Sequence, residues 1–155
     1  MRKIVFLFML LIFSSIIAKS QAYIVIKHIG NSDRFIPALA IKTGYINNDV
    51  IFDTNSRYGG ASFNSIIELS KKKYSIIEHF MLTNKYLKDS NSVNLVFGTF
   101  DIEAFDRVKK KSLIINNKKS ALFFSDLIKI CKRIKVRDEL IHKLEYILHL
   151  LKLNT

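Results

Sequence analysis

The sequence predicts an α+β fold: a mainly antiparallel sheet with helices packed on one face, closed by a C-terminal antiparallel helix pair. Three observations lead there. Short alternating or β-branched runs recur up to residue 116, broken by Gly, Asn and Asp. Two stretches beyond residue 120 carry apolar residues at helical spacing instead. Only residues 135–137 separate those two stretches, so they pack back on each other.

Taken in order, the chain opens on Arg2 and Lys3, followed by an apolar run over 4–17 broken only by Ser14 and Ser15. Ser20 and Ala22 then supply small residues at the positions a signal peptidase reads. This pattern is that of a secretory signal peptide, and the run is too short for a comfortable membrane span. Cleavage is expected after Ala22, with Ser20 as the second choice. The division is therefore 1–22 signal peptide and 23–155 a single small α+β domain, secreted or periplasmic. No transmembrane segment is expected after signal removal.

Residues 23–29 read as the first strand, with Tyr23, Val25 and Lys27 on one side and Ile24, Ile26 and His28 on the other. Residues 38–41 and 50–52 read as a hairpin around Gly44 and Asn47–Asn48–Asp49. Ser62 could cap a short helix carrying Phe63, Ile66 and Ile67, its C-terminal end complemented by Lys71–Lys73. Residues 74–83 are apolar on several sides, and periodicity leaves strand and helix open. Ser75, Ile77 and Thr83 tip the expectation towards a strand.

The stretch around which the chain is organised is 93–134. Val93, Leu95 and Phe97 alternate with polar neighbours, and beyond Gly98 the apolar positions become Phe100, Ile102 and Ala104. That change of parity predicts a bulge at Gly98 within one strand, 93–104. A turn at Asp106–Arg107 leads to a second strand, 110–116. Ser120 is then expected to cap a helix over 121–134. Phe124, Leu127, Ile128, Cys131 and Ile134 share one face of it. In the last helix, 136–151, Leu140, Leu144, Ile147 and Leu151 form the corresponding stripe.

The full chain carries 25 basic and 13 acidic residues. Removing the leader takes Arg2, Lys3 and Lys19 and no acid. Of the rest, 13 basic residues against 5 acidic lie beyond Ala104. Such a surface attracts anionic partners. The basic residues are mostly Lys, a solvated point charge, whereas bidentate recognition of phosphate or bases leans on Arg. Specific nucleic-acid binding is therefore not expected. A weak association with anionic surfaces through the Lys-rich last third is. The lone cysteine, Cys131, excludes an intramolecular disulfide and lies on an apolar helix face, where a thiol acts as a small hydrophobe.

Few residues suggest chemistry. Asp53–Thr54–Asn55–Ser56, following the apolar Val50–Ile51–Phe52, resembles the Asp-Thr-Gly-Ser/Ala loop of aspartic proteases. The resemblance implies an exported hydrolase with Asp53 as one of two paired carboxylates. Asn55 replaces the glycine of that loop, and no second copy follows, so a dimer would have to complete the pair. His142, Glu145 and His149 fall on one side of the last helix and are the candidates for a metal. They span about 10 Å at the helical rise, far for one ion. Gly59–Gly60 before Ser62 lacks the Lys-Ser/Thr ending of a phosphate loop. Ser62, His79 and Asp101 lack the elbow of a catalytic triad. The leading expectation is an exported, non-catalytic protein without a cofactor that binds another protein, as an inhibitor, immunity factor or accessory subunit does.

Overall fold

The computed structural model describes residues 22–30, 36, 38–44, 46, 51, 65–88, 97–106 and 109–153. Its elements are β1 (Ala22–His28), β2 (Leu39–Thr43), β3 (Ser65–Glu68), α1 (Lys71–Thr83), β4 (Leu87–Lys88), β5 (Phe100–Asp106), β6 (Lys109–Ile115), α2 (Asn117–Arg133) and α3 (Asp138–Lys152). The strands form one sheet in the order β3-β2-β1-β5-β6-β4, whose last member is only two residues long. β2 and β3 are parallel and every other neighbouring pair is antiparallel. The fold is α+β, with its last two helices packed together.

Register builds the core. Ile24 lies opposite Ile41 on one side and Ala104 on the other, while Ile26 lies opposite Leu39 and Ile102. Side chains alternate along a strand, so these residues share one face. They pack with Phe123, Phe124, Leu127 and Cys131 of α2 and Leu140, Leu144 and Ile147 of α3. Each large apolar side chain fully buried here contributes about 1.5–3 kcal/mol relative to exposure. The other face is covered too: Val25 and Ala40 are buried against Ile51, with Tyr23, Ile46 and Ile66 at the margin.

Both predicted helix stripes face inward. Phe124, Leu127, Cys131, Leu140 and Leu144 have no exposure at all. The boundaries need correction. α2 begins at Asn117, and its cap is Asn116, whose side chain accepts the Lys118 N–H. Ser120 is a buried residue of the first helical turn. Its hydroxyl donates to the Gly98 carbonyl, bridging the helix to the sheet. α2 ends in a Schellman closure: Val136 N–H bonds Cys131 O at 3.1 Å and Lys135 N–H bonds Lys132 O at 3.2 Å. Lys135 takes φ 53°, and Val136 is buried behind it.

Residues 74–83 are helical, not a strand. Tyr74, Ile77 and Met81, at i, i+3 and i+7, are its buried side. Conversely, Ser65–Glu68 is a strand where a helix was expected, and Ile51 is helical where a strand was expected. β2 pairs with β1 and β3, and of the expected partner 50–52 only Ile51 lies within the described residues. Lys71–Lys73 therefore start a helix instead of ending one, at the end of the dipole that disfavours cations. Lys73 finds compensation by donating from Nζ to the Lys135 carbonyl at the C-terminal end of α2.

The expected bulge at Gly98 is a turn that precedes β5. Gly98 has φ 81°, a region where a side chain is strained, and an added Cβ would lie 3.1 Å from Leu151 Cδ2. Val93 to Val96 lie outside the described residues. The Gly98 N–H donates to His28 Nε2 at 3.0 Å, and the imidazole packs between the rings of Phe97 and Phe100. An accepting Nε2 makes the ring neutral, with its proton on Nδ1. Burial lowers the His28 pKa below its ordinary 6.5.

This linkage sets a pH dependence. Below pH 6.5 the unfolded chain takes up a proton at His28 that the folded chain resists, so acid favours unfolding. The stabilisation is complete above 6.5 and is lost as pH falls towards the folded pKa. The slope from this single group stays below about 1.4 kcal/mol per pH unit, because one imidazole can exchange at most one proton between the folded and unfolded states. His28→Gln, which retains an acceptor but does not titrate there, is expected to flatten urea-unfolding stability between pH 7 and 5. An unchanged slope in the variant would remove His28 as its source.

Candidate interaction surface

α1 and α2 run side by side in opposite directions. Lys73, near the start of α1, reaches Lys135 beyond the end of α2, while Phe80 stacks on Phe123 with ring centroids 5.4 Å apart. Between them lies an open groove of about 390 Å³, lined by Phe80, Asp126, Lys129, Ile130 and Arg133. Its floor is apolar. Phe80 and Ile130 are half-buried, and Ile76, one turn before Phe80 on α1, is 38% exposed. Leu122, one turn before Asp126 on α2, is 55% exposed. Phe123 beneath is fully buried, so the floor rests on the core and is held in place by it.

The rim is charged. Lys129 Nζ lies 3.0 Å from Asp126 Oδ1, both side chains being well exposed. An exposed pair of this kind is worth little and opens readily. Arg133, one turn beyond Lys129, is exposed and has no ion pair among the described residues. A second concavity, lined by Ala38, Leu39, Ser65, Lys143, Tyr146 and Ile147, holds only about 10 Å³, room for one water.

The candidate metal ligands do not converge. Glu145 Oε1 is held 2.7 Å from Lys132 Nζ on the neighbouring helix, and His142 Nδ1 lies 3.7 Å from its other oxygen. The Lys132 ammonium keeps the Glu145 carboxyl below its ordinary pKa. His149 is exposed further along α3. Among the described residues no group of three His, Cys, Asp or Glu could hold a metal ion.

Asp53, Ser62 and the Gly59–Gly60 pair lie outside the described residues. His79 is exposed on α1, whereas Asp101 is on β5 and accepts from Ser112 Oγ at 2.7 Å. Lys27 Nζ and Glu103 Oε2 pair at 2.8 Å across β1 and β5, on the face away from the helices. Sequence reasoning missed the groove because it placed Phe80 in a strand. The signal was present in the spacing of Tyr74, Ile77 and Met81. It was masked by Ile76 and Phe80, the apolar residues that the helix leaves at its outer side.

No described helix is long and apolar enough to cross a membrane. No protein-family model matches the chain, and neither a curated protein nor a solved structure is significantly similar to it.

Proposed function

We propose that this chain is an exported, non-catalytic binding protein, of the inhibitor, immunity or accessory type, that receives a partner protein in the groove between α1 and α2. The observation that carries the reading is that groove. Single exposed apolar residues are ordinary on any surface. Here Phe80 and Ile130 line a concavity seated on the core, exposed Ile76 lies one turn away on α1, and the charged Asp126, Lys129 and Arg133 surround it. That is the anatomy of an interface core and rim. Export is supported by the basic, apolar and small-residue succession over 1–22. Ala22 opens β1 and pairs with Thr43 and Asp106, so cleavage after Ser20 leaves the strand whole while cleavage after Ala22 removes its first rung.

Two measurements on the protein expressed from its full sequence test this. Mass spectrometry of the exported form is expected to find an N-terminus at 21 or 23. A photo-crosslinking amino acid at Ile130 is expected to capture a defined protein in that compartment, and one at Lys143 is not. Retention of the leader in the cytoplasm would overturn export. Absence of any adduct at 130, or a hydrolytic activity abolished by Asp53→Ala, would overturn the binding reading.

A further inference from the structure

We propose that the occupant of the α1/α2 groove is an acidic amphipathic helical segment of a partner protein, its apolar side chains over Phe80 and Ile130 and a carboxylate on Arg133. The inference rests on the binding reading above and names the chemistry of the partner.

Charge selects it. α2 carries Lys118, Lys119, Lys129, Lys132 and Arg133 against a single acid, Asp126. The Lys73–Lys135 contact brings the Lys71–Lys73 turn of α1 to the Lys132–Arg133–Lys135 turn that ends α2. Beside Arg133 at that end lie Lys73, held on the Lys135 carbonyl, and Lys132, paired with Glu145, while among the described residues the only acid lining the groove, Asp126, lies two turns away and is already paired. A carboxylate arriving at Arg133 meets a planar fork suited to bidentate pairing. Lys129 can exchange its exposed Asp126 contact for a second acid on the occupant.

Shape and length set the rest. The lining from Asp126 to Arg133 runs about 10 Å along α2, so the groove takes roughly two turns of helix. A helix presents apolar side chains at i, i+3, i+4 and i+7, the pattern that fills a two-walled groove. A second copy of this chain is a poor occupant, because the full chain has a net charge of +12 and would bring like charges to the cationic end. A lipid surface is flat and makes no use of a concave floor.

The test uses two fluorescein-labelled 14-residue helical peptides with the same leucine stripe, one with Glu and one with Lys at the remaining positions. Fluorescence anisotropy is read against the protein expressed from its full sequence. The Glu peptide is expected to bind about tenfold or more tighter than the Lys peptide, and to weaken as salt is added. Arg133→Glu is expected to weaken it about tenfold while leaving the melting temperature unchanged, since that side chain is at the surface, and Ile76→Asp, at the exposed apolar residue one turn from Phe80, is expected to weaken it as well. Lys143→Glu is expected to leave binding unaltered.

Equal affinity for the two peptides, or Glu-peptide binding that survives Arg133→Glu, would overturn the inference. So would self-association abolished by Ile76→Asp, which assigns the groove to a second copy. Phosphatidylglycerol vesicles that bind through Arg133 when the Glu peptide does not would equally overturn it. In each of these cases an adduct at Ile130 with a defined protein still leaves the binding reading standing.

Discussion

Phe124→Ala is expected to destabilise the protein by about 3–5 kcal/mol, the range for emptying a fully buried aromatic site. Phe124 has no exposure, meets Phe100 edge to face with centroids 4.8 Å apart, and meets Phe123 at 5.5 Å. It therefore joins α2 to the central strand β5. Both neighbours are themselves buried and held from behind, Phe100 by His28 and Phe123 by Phe80, so collapse into the void is restricted. A loss of this size is a large share of the 5–15 kcal/mol that holds a typical domain. Urea unfolding is expected to show a much lower midpoint with a similar slope, while Leu122→Ala, on the exposed side of the same helix, shifts it little. A Phe124→Ala loss under about 1 kcal/mol would mean that α2 does not seat on the sheet as described.

What could be read from the chain in advance follows from how local each signal is. α2 and α3 were legible because a stripe at period 3.6 is a property of one segment. Their ends were less so. Asn116 and Ser120 are both good capping residues, and the polar, exposed Lys118 and Lys119 hide the extra first turn of α2. Ser120 then has a role that no local pattern reveals, since it reaches Gly98 in another element.

The errors cluster where a short apolar run fits two periods. Ile66–Ile67 sits in a four-residue strand whose partner, β2, lies more than twenty residues earlier and runs parallel to it. Residues 74–83 carry apolar side chains on both sides because α1 is covered by the core on one side and lines the groove on the other. The change of parity at Gly98 predicts a bulge within one strand, whereas the chain makes a turn there ahead of β5. Its form, a left-handed turn clamped between His28 and Ser120, depends on contacts across the fold. Of the site residues, Lys129 and Arg133 could be placed on an exposed helical face from sequence. Nothing local could bring Phe80 beside them.

α2 and α3 close the helix-covered face of the sheet, and the chain's one cysteine reports on that closure. Cys131 has no exposure, and burial pushes its thiol up to about 12, which removes nearly all thiolate at neutral pH. In the native protein at pH 8, 5,5′-dithiobis(2-nitrobenzoic acid) is expected to react about a thousandfold or more slower than with an unfolded thiol, because attack must await opening of the helix pair. In guanidinium the same sample is expected to release one equivalent at once. Prompt release of one equivalent from the native protein would contradict the packing on which the fold, the groove and the proposed partner all depend.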